Sequence, residues 1–599
     1  MLPSNERDLT VRLSDNAQRI LQARYLRRDP SGQITETPED LFRRVAGAVA
    51  KAENRFDGGL PAQHWEEAFF ASLSGLEFLP NSPTLMNAGT PCGQLSACFV
   101  LPVGDSMPEI FDALKLMALI QQTGGGTGFS FSRLRPQGDA VSSTGGTASG
   151  PVSFMRVFDA ATENVRHGGK RRGANMGVLR VDHPDILQFV NAKLDGHSFR
   201  NFNFSVAAVD SFFKAALADR PIELRNPRTQ QVTAALPAAE LLMRIAEAAW
   251  KTGDPGMIFL DAIQRGNSTP ALGVIESTNP CGEVPLLPYE GCNLGSINLS
   301  RMVRSTITGP AIDWEKLAHT TRLGIRFLDD VVEVNRWPSP QIATMSRGNR
   351  KIGLGVMGFA DLLIQLGVPY ASKQAVSLAD ELMRSISGHA WSASEGLAKE
   401  RGEFPNWKLS VHATRNRCVR NATCTSIAPT GTISILADTS ASIEPLFALA
   451  YRRHVLEGQT LFELNPLLLR YIGEQGIDQA RLLHELQIRG TLSQLAEIPS
   501  EIKLLFKTAL EIDPEDHLLI QAAFQKHVDN AVSKTINLPQ ESTAEEIKSI
   551  YLRAWQYRLK GVTVYRYGSK DQQTFELGIA DRPEELEHFA RCDPHACKL

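Results

Sequence analysis

The sequence predicts an α/β protein that begins with a helical segment. Residues 1 to about 75 have helical periodicity. From about residue 76, short apolar runs such as ACFVLPV and TISILA alternate with Gly/Ser/Thr-rich loops and longer amphipathic stretches. Alternating strands and helices are typical of a sheet with parallel strands. We find no internal repeat and no low-complexity segment that would indicate another architecture.

The stretch TETPEDLFRRVAGAVAKAE predicts a helix in the N-terminal segment. Thr37 suits the N-cap, Pro38 the first helical position and Asp40 the third. Apolar residues then recur on one face, at Leu41, Val45, Ala48 and Val49. This spacing predicts a helix that packs against a core.

A second, longer helix is predicted by SLADELMRSISGHAWSASEGLAKERGEFP. Gly402 and Pro405 mark its end, because glycine favours the C-terminal cap and proline cannot continue a helix. Its apolar face is formed by Leu378, Leu382, Met383 and Ile386. It is one of the longer amphipathic stretches that alternate with the short apolar runs.

Composition excludes several classes of protein. The 599 residues are 43% hydrophobic and 22% charged with a net charge of −3, so bulk charge does not favour binding to nucleic acid or to a membrane surface. No run of about 18 apolar residues is present. The start, MLPSNERDLT, lacks the pattern of a signal peptide, so we expect a cytoplasmic protein. Eight cysteines are too few for a disulfide scaffold of this length.

The stretch STNPCGEVPLLPYEGCNLGSINL, residues 277–299, concentrates candidate chemistry. Asn279, Cys281 and Glu283 alternate, so an extended backbone would place all three side chains on one face. A neighbouring carboxylate disfavours thiolate, which argues against an ordinary nucleophile and suits a hydrogen-atom donor. Zinc ligation or buried thiols are the alternatives, although Cys281 and Cys292 lack a C-x₂-C pair or a nearby histidine.

A second candidate site is the segment APTGTIS. Glycine permits close backbone approach, threonine hydroxyls donate hydrogen bonds, and successive N–H groups can hold an anion. The residues concerned are Pro429, Thr430, Gly431, Thr432 and Ile433. By itself this pattern is a weak signal, and a plain turn is the better interpretation.

Together, the motifs resemble the ribonucleotide reductases. NPCGE followed by GCNLGSINL is similar to the active-site finger loop of that family. Further matching segments, in the family's order, are PNSPTLMNAGTPCGQLSACFVLPVGDSM (80–107), TGGGTGFSFSRLRPQGD (123–139), GGKRRGANMGVLRVDHPDI (168–186), APTGTISILADTSASIEPLF (428–447) and GVTVYRYGSKDQQ (561–573). The resemblance extends over nearly all of residues 15–575.

The resemblance implies a catalytic role for five residues. Cys281 would carry a transient thiyl radical that abstracts the 3′ hydrogen of a ribonucleotide. Glu283 would take the 3′-hydroxyl proton, and Asn279 would hydrogen-bond the substrate. Cys98 and Cys292 match the pair that reduces the intermediate and ends as a disulfide.

The resemblance also implies nucleotide-binding residues. Besides the APTGTIS loop for the substrate diphosphate, the substrate side is expected to include Ser82, Ala97 with Cys98, and Gly126. A second site would bind a deoxynucleotide or ATP as specificity effector. Its candidates are Asp105, Ser106, Met107, Arg135, Lys170, Arg171 and Arg172. A solvated basic loop is the alternative for the three consecutive cations.

The terminal RCDPHACKL would restore the active-site dithiol. Cys592 and Cys597 resemble the family's C-terminal thiols, which thioredoxin or glutaredoxin reduces. A zinc tail that includes His588 and His595 is the alternative. The other cysteines, Cys92, Cys418 and Cys424, are expected to be buried free thiols.

The source of the radical is predicted from the class of ribonucleotide reductase that the sequence resembles. Members served by a diiron partner subunit have adjacent tyrosines, whereas here Arg566 separates Tyr565 from Tyr567. The motif VTVYRYGSK, together with NSPTLMNAGT and KRRGANMG, resembles the adenosylcobalamin-dependent class. No D-x-H-x-x-G corrinoid motif occurs, DGHSFR being the nearest, so the cofactor would keep its own base as lower ligand. An N-terminal ATP-cone is not expected.

The resemblance implies a ten-stranded α/β barrel of two parallel five-stranded halves with a central finger loop. The domains expected are a small N-terminal helical domain (1–75), the catalytic barrel (76–570) and a flexible C-terminal tail with the redox cysteine pair (571–599). A homodimer is expected, without nucleic acid or membrane. The alternatives are the large subunit of a reductase that needs a radical-generating partner, and a non-catalytic nucleotide-binding regulator.

Overall fold

The structure is a computed structural model of the chain. It describes residues 11, 13–57, 59–141, 145–167, 171–455, 459–475, 482, 486, 490–496, 498–570 and 575–577. The α-helices are α1 (Asp15–Ile20), α2 (Pro38–Ala50), α3 (Ala62–Ser74), α4 (Ser82–Asn87), α5 (Met107–Gln122), α6 (Pro151–Asn164), α7 (Ile186–Asn191), α8 (Asp210–Leu217), α9 (Ala238–Thr252), α10 (Leu260–Arg265), α11 (Trp314–Val334), α12 (Pro340–Asn349), α13 (Phe359–Gln365), α14 (Lys373–Arg401), α15 (Val411–Thr414), α16 (Ile433–Leu436), α17 (Pro466–Gln475), α18 (Ser500–Leu505), α19 (Pro514–Gln525) and α20 (Ala544–Gln556).

The main sheet contains ten strands among the described residues. They are β1 (Phe78–Pro80), β2 (Cys98–Pro102), β3 (Gly126–Ser130), β4 (Asn175–Arg180), β5 (Phe202–Ala208), β6 (Gly256–Phe259), β7 (Gly291–Asn298), β8 (Ile352–Met357), β9 (Thr535–Leu538) and β10 (Gly561–Arg566). They run in the order β1-β7-β2-β3-β4-β5-β6-β10-β9, and β8 pairs with β7.

The strand directions divide this sheet into two halves. Strands β2 to β6 are parallel neighbours. In the other half, β7 is parallel to β8 and β9 is parallel to β10. Antiparallel pairing joins the halves, between β2 and β7 and between β6 and β10.

Two short contacts close the sheet. The parallel bridges Leu354–Thr425 and Ile427–Val532 connect β8, through the segment around residue 426, to the chain that leads into β9. With that segment as the fifth strand of the second half, and β1 as an added edge strand on β7, the barrel has two parallel five-stranded halves. The predicted architecture is therefore confirmed.

The two predicted helices form as expected from their caps and apolar faces. Thr37 and Asp40 make a reciprocal capping box at the start of α2. α14 ends with Gly402 at its C-cap, and Leu382, Met383 and Ile386 are buried on its inner face. Both helices belong to one core cluster that extends from α1 to the second half of the barrel.

A buried charge cluster connects the N-terminal helices to the barrel. Arg401 on α14 lies 2.7 Å from Glu53, 2.9 Å from Asp329 and 2.7 Å from Asp330. Burial opposes ionisation of Asp329, but the guanidinium groups of Arg350, Arg420 and Arg401 together lower its pKa to about 2. Pairing of this kind keeps Asp329 charged at neutral pH, whereas burial raises the pKa of Asp330 well above its usual range despite its contact with Arg401.

The remaining strands form small accessory sheets. The two-stranded ones are Ala140–Val141 with Gly146–Thr147, Arg166–His167 with Arg171–Arg172, Pro221–Arg225 with Val232–Pro237, Ser277–Thr278 with Pro285–Leu286, and Val303–Thr306 with Gly309–Ile312. A three-stranded sheet joins Ala450–Val455 to Gln459–Leu464 and to Phe575–Leu577. The sequence places residues 575–577 in a flexible tail, but they pair with Tyr451–Arg453, because backbone pairing to a distant strand leaves no local signal.

Candidate active site

The finger loop is a short β-hairpin with Cys281 at its tip. Ser277 pairs with Leu286 and Thr278 with Pro285, and the chain turns between them. The N–H of Gly282 donates to the carbonyl of Asn279 at 3.1 Å, and Gly282 has a φ of +83°, a conformation that glycine adopts without strain. The extended backbone predicted for residues 279–283 is therefore wrong, because this turn reverses the chain.

The turn places Asn279 and Glu283 opposite each other on the two arms. The Asn279 side-chain amide donates to a Glu283 carboxylate oxygen at 2.8 Å, and its carbonyl oxygen accepts from the Val284 N–H at 3.0 Å. Both side chains are about 2% exposed, whereas Cys281 is exposed. The amide and the carboxylate are thus buried at the two ends of the turn, whereas Cys281 between them is exposed.

The second and third predicted cysteines face each other across neighbouring strands. Cys98 on β2 is the direct antiparallel partner of Cys292 on β7. Opposed residues of an antiparallel pair have Cα atoms about 4.5–5.5 Å apart, which is within the range that a disulfide spans. Asn279 also donates to the Cys98 sulfur at 3.2 Å. Contacts therefore link four of the five predicted catalytic residues, and the fifth, Cys281, lies in the adjoining turn.

The barrel leaves room for the finger because β3 carries two glycines where the finger passes. A Cβ atom at Gly128 on β3 would lie only 1.7 Å from the carbonyl oxygen of Thr278, and one at Gly126 would lie 2.9 Å from the Pro280 ring. On β5, Asn203 donates to the Pro280 carbonyl at 2.8 Å. These contacts fix the hairpin against the first half of the barrel.

The second half of the barrel holds the other arm of the finger. The carbonyl of Glu283 accepts from the Ser426 hydroxyl at 2.8 Å and from the Ala531 N–H at 2.9 Å. These donors lie on the two segments that close the barrel. Because Glu283 is anchored through its backbone, its carboxylate stays available for its bond to Asn279. Neither donor stands out in the sequence, since both depend on long-range pairing.

Electrostatics around Cys292 keep it protonated. Burial raises the pKa of the Cys292 thiol well above its usual range; Lys351 lowers it, and Glu290 and Glu283 raise it. Lys351 and Glu290 form a buried ion pair at 2.8 Å, and Glu290 also accepts from the Leu287 N–H at 2.6 Å. A buried thiol suits donation of a hydrogen atom or proton rather than thiolate attack. The sequence reasoning missed this pair, whose only signal is the acidic residue two positions before Cys292.

Two of the predicted substrate-side residues, Ala97 and Gly126, lie beside this cluster. The Gly126 N–H donates to the Ala97 carbonyl at 2.8 Å, and Gly126 is the parallel neighbour of Cys98. Ser82 is the first residue of α4, and its hydroxyl lies 2.7 Å from the Tyr25 hydroxyl. Tyr25 is a residue that the sequence reasoning missed, since nothing in the local pattern separates it from a core aromatic.

The APTGTIS loop leads into α16 with an unusual backbone at Thr430. Thr430 has a φ of +53°, uncommon for a branched residue, and its hydroxyl accepts from the Ser442 N–H at 2.7 Å. Within the described part of the chain, no hydrogen bond uses the backbone N–H of Gly431, Thr432 or Ile433. These groups remain available to an anion.

The structure describes the predicted effector residues near the start of α5, but it does not describe the side chains of the three consecutive cations. Asp105 pairs with Arg135 at 2.8 Å, and Ser106 caps α5, whose first residue, Met107, is exposed. The strand Arg171–Arg172 pairs with Arg166–His167 through its backbone. The side chains of Arg171 and Arg172, and all of Lys170, lie outside the described residues, as do Cys592 and Cys597.

The remaining cysteines are free thiols. Only Cys424 is buried, whereas Cys92 is half-buried and Cys418 is exposed, so the predicted burial is wrong for these two. They lie in loops, where the sequence carries no periodic signal for burial.

Among the described residues, no group of three or more His, Cys, Asp or Glu side chains has the geometry to hold a metal ion. No helix in that part of the chain is both long and apolar enough to cross a membrane.

Known proteins resemble this chain along nearly its whole length. The profile described as "Ribonucleotide reductase, all-alpha domain" matches residues 11–93, and "Ribonucleotide reductase, barrel domain" matches residues 96–417 and 406–565. A "Vitamin B12-dependent ribonucleoside-diphosphate reductase" of Mycobacterium tuberculosis (strain CDC 1551 / Oshkosh) is 50% identical over 98% of this chain and 85% of its own. One of the same name from Thermoplasma acidophilum is 46% identical over 96% of this chain and 82% of its own.

A solved structure has the same fold. The Actinobacillus ureae class Id ribonucleotide reductase alpha subunit matches with a TM-score of 0.76, over 93% of this chain and 97% of its own, at 23% identity. The two profiles together extend over most of the sequence, and their descriptions agree with the N-terminal helices and the barrel described above. The chain belongs to the ribonucleotide reductase family.

Proposed function

We propose that the chain is an adenosylcobalamin-dependent ribonucleoside-diphosphate reductase. The observation that carries the proposal is the cluster in which Asn279, two residues before Cys281, contacts both Glu283 and Cys98, and Cys98 pairs with Cys292. A protein that only binds nucleotides has no use for these five groups together. The names of the relatives that are 46–50% identical support both the substrate class and the cofactor.

The finger tip is compatible with a large cofactor above it. Cys281 is exposed, and a Cβ atom at Gly282 would meet no other atom within 4 Å, so a bulky group can approach the thiol without displacing backbone. When bound, adenosylcobalamin supplies an unpaired electron by homolysis of its cobalt–carbon bond. Arg566, which separates Tyr565 from Tyr567, donates to the Trp250 carbonyl at 3.0 Å and lies over the Trp250 ring.

The chain's own residues then divide the reaction. Cys281, as a thiyl radical, takes the hydrogen atom from the 3′ carbon, and Glu283 accepts the proton of the 3′ hydroxyl. The 2′ hydroxyl, a poor leaving group otherwise, departs as water next to the radical centre. Cys98 and Cys292 together supply two electrons and two protons and become a disulfide. Glu283 finally returns its proton to the 3′ oxygen and Cys281 its hydrogen atom to the 3′ carbon, which gives the deoxynucleotide.

The disulfide must be reduced after each turnover. Cys592 and Cys597 are the proposed carriers, with thioredoxin or glutaredoxin as the external reductant. Cys592→Ser should leave turnover with dithiothreitol close to that of the wild type and should greatly slow turnover with thioredoxin. Equal rates with both reductants would remove the tail from the proposal.

A nucleotide effector and a second copy of the chain complete the proposal. The pair Asp105–Arg135 with Ser106 forms the proposed specificity site for a deoxynucleotide or ATP, at the start of α5.

Exposed apolar side chains on α5 and α6, among them Met107, Phe111 and Val157, support a homodimer through these helices. The molar mass from light scattering should be that of two chains. We also propose the domain division 1–75, 76–570 and 571–599, and a cytoplasmic location.

One assay separates this function from its alternatives. Purified protein with adenosylcobalamin, dithiothreitol and a ribonucleoside diphosphate should form the deoxynucleotide without any other protein. A reductase that depends on a radical-generating partner would stay inactive until that subunit is added, and a regulator would bind nucleotide without turnover. Cys281→Ser should abolish product while the fold, checked by circular dichroism, is retained.

A further inference from the structure

The N-terminal helical segment reaches both proposed substrate loops through two consecutive residues. An Arg24 guanidinium nitrogen donates to the Thr432 hydroxyl at 3.2 Å, although the two residues are 408 positions apart. The hydroxyl of the next residue, Tyr25, lies 2.7 Å from that of Ser82. The N-terminal segment therefore contacts the APTGTIS loop and the start of α4 at once.

A local change of helix type accompanies these contacts. After α1 the chain continues as a π-helix, Leu21–Tyr25, which closes with a bond from the Leu26 N–H to the Leu21 carbonyl at 2.9 Å. π-helical turns are rare and occur frequently at functional sites. Leu21, Tyr25 and Leu26 are buried in the core, so the backbone that carries Arg24 is rigidly held.

Arg24 adds a charge that the substrate loop itself lacks. Residues 429–433 contain no cation, and they offer only backbone N–H groups and the Thr hydroxyls to an anion. A guanidinium group has five N–H donors in a planar fork that matches phosphate oxygens. Arg24 is half-buried and in contact with Thr432, so its fork lies at the edge of this loop.

We propose that Arg24 is a substrate-binding residue that contacts the diphosphate of the ribonucleotide, and that Tyr25 is a positioning residue for Ser82. This proposal rests on the proposed function, because it takes the APTGTIS loop as the phosphate site. It gives the N-terminal segment a role in recognising the substrate's phosphates. The positive charge of Arg24 distinguishes a nucleoside diphosphate from the uncharged nucleoside.

The test is a binding measurement that needs no turnover. Equilibrium dialysis with radiolabelled cytidine diphosphate and with cytidine compares the wild type with Arg24→Gln and Arg24→Lys. Loss of a charge-assisted hydrogen bond to phosphate should raise the Kd for the diphosphate about ten- to hundredfold for Arg24→Gln and leave that for cytidine unchanged. Arg24→Lys should recover part of the affinity, because a point charge remains. Arg19→Gln removes a charge from an exposed position on α1 and should match the wild type.

Steady-state kinetics give a second readout. Arg24→Gln should raise KM for the diphosphate by a similar factor while kcat at saturation stays within about threefold of the wild type, as expected for lost binding that is equal in ground and transition states. Tyr25→Phe should raise KM by a smaller factor. Unchanged diphosphate affinity in Arg24→Gln, or an equal loss for diphosphate and cytidine, would overturn the proposal, the latter because it indicates a merely structural role. If Arg24→Gln does not fold, Arg24→Lys decides by the same criteria.

The two proposals fail in different ways. Wild-type protein that binds the diphosphate through Arg24 but forms no deoxynucleotide would refute the reductase function and retain the binding residue. Wild-type protein that reduces the diphosphate, with Arg24→Gln kinetically identical to it, would retain the function and refute the role of Arg24.

Discussion

Gly128→Ala tests whether the position of the finger controls activity. The added Cβ atom would lie 1.7 Å from the Thr278 carbonyl oxygen and 2.7 Å from its carbonyl carbon, in backbone that cannot rotate away. Since Cβ atoms are essentially never found closer than 3.0 Å to another heavy atom, β3 and the finger must separate by at least about 1.3 Å. The finger is the mobile partner, because β3 is hydrogen-bonded on both sides within the barrel.

A displacement of this size should affect catalysis more than folding. Misplacing reacting groups by about 1 Å can cost about a hundredfold in rate, whereas overpacking at one site costs about 1–3 kcal/mol of the free energy of unfolding. We therefore expect Gly128→Ala to lower kcat at least a hundredfold, measured as deoxynucleotide formed with adenosylcobalamin and dithiothreitol. Its circular dichroism spectrum should remain that of the wild type.

The matched control is Gly388→Ala on α14, where the glycine is exposed and an added Cβ would meet no other atom within 4 Å. This variant should keep full activity and gain up to about 1 kcal/mol of stability from helix propensity. If Gly128→Ala were folded and as active as the control, the contact between finger and barrel would not control the reaction, and the reasoning would be refuted.

Two further predictions concern buried charges. Lys351→Met should lower the free energy of unfolding, measured in urea, by about 3–5 kcal/mol, because Glu290 stays buried without its cationic partner. The double variant Glu290→Gln/Lys351→Met should recover at least half of this loss. If the losses of the single variants were additive instead, the ion pair would be contradicted. Burial raises the pKa of Asp361 to about 6, against hydrogen bonds from Ser440 and Thr439 that lower it. The folded state therefore holds this proton more tightly than the unfolded state, and stability from this group is lost as pH rises from about 4 through 6. Asp361→Asn lacks this loss, so its stability relative to the wild type should improve by about 2 kcal/mol between pH 4 and pH 7.5; a constant difference would show that Asp361 does not titrate in this range.

How much of the fold could be predicted depended on the range of the interactions involved. The capping box of Thr37 and Asp40 and the Gly402 cap of α14 were predictable, because caps depend on neighbours within a few residues. The barrel was predictable only through several motifs in the family's order. The turn at Gly282 was missed, since alternation of residue types was taken to indicate an extended chain although glycine also permits reversal.

The candidate site shows the same division. The sequence by itself determined which residues are proposed to carry the chemistry: Asn279, Cys281 and Glu283 lie within one motif, and Cys98 and Cys292 within two others. The tertiary structure decided how they meet. The cross-strand pairing of the two cysteines depends on the antiparallel junction between the barrel halves, which no local pattern encodes.

The structure alone also decided which groups support the site. The buried pair of Lys351 with Glu290, the glycine space at Gly128 and the reach of Arg24 to Thr432 all join segments that are far apart in the chain. Local sequence fixes a residue's chemistry and its backbone preference. Which groups it touches depends on strand register and packing across the whole barrel, and only the folded chain brings these together.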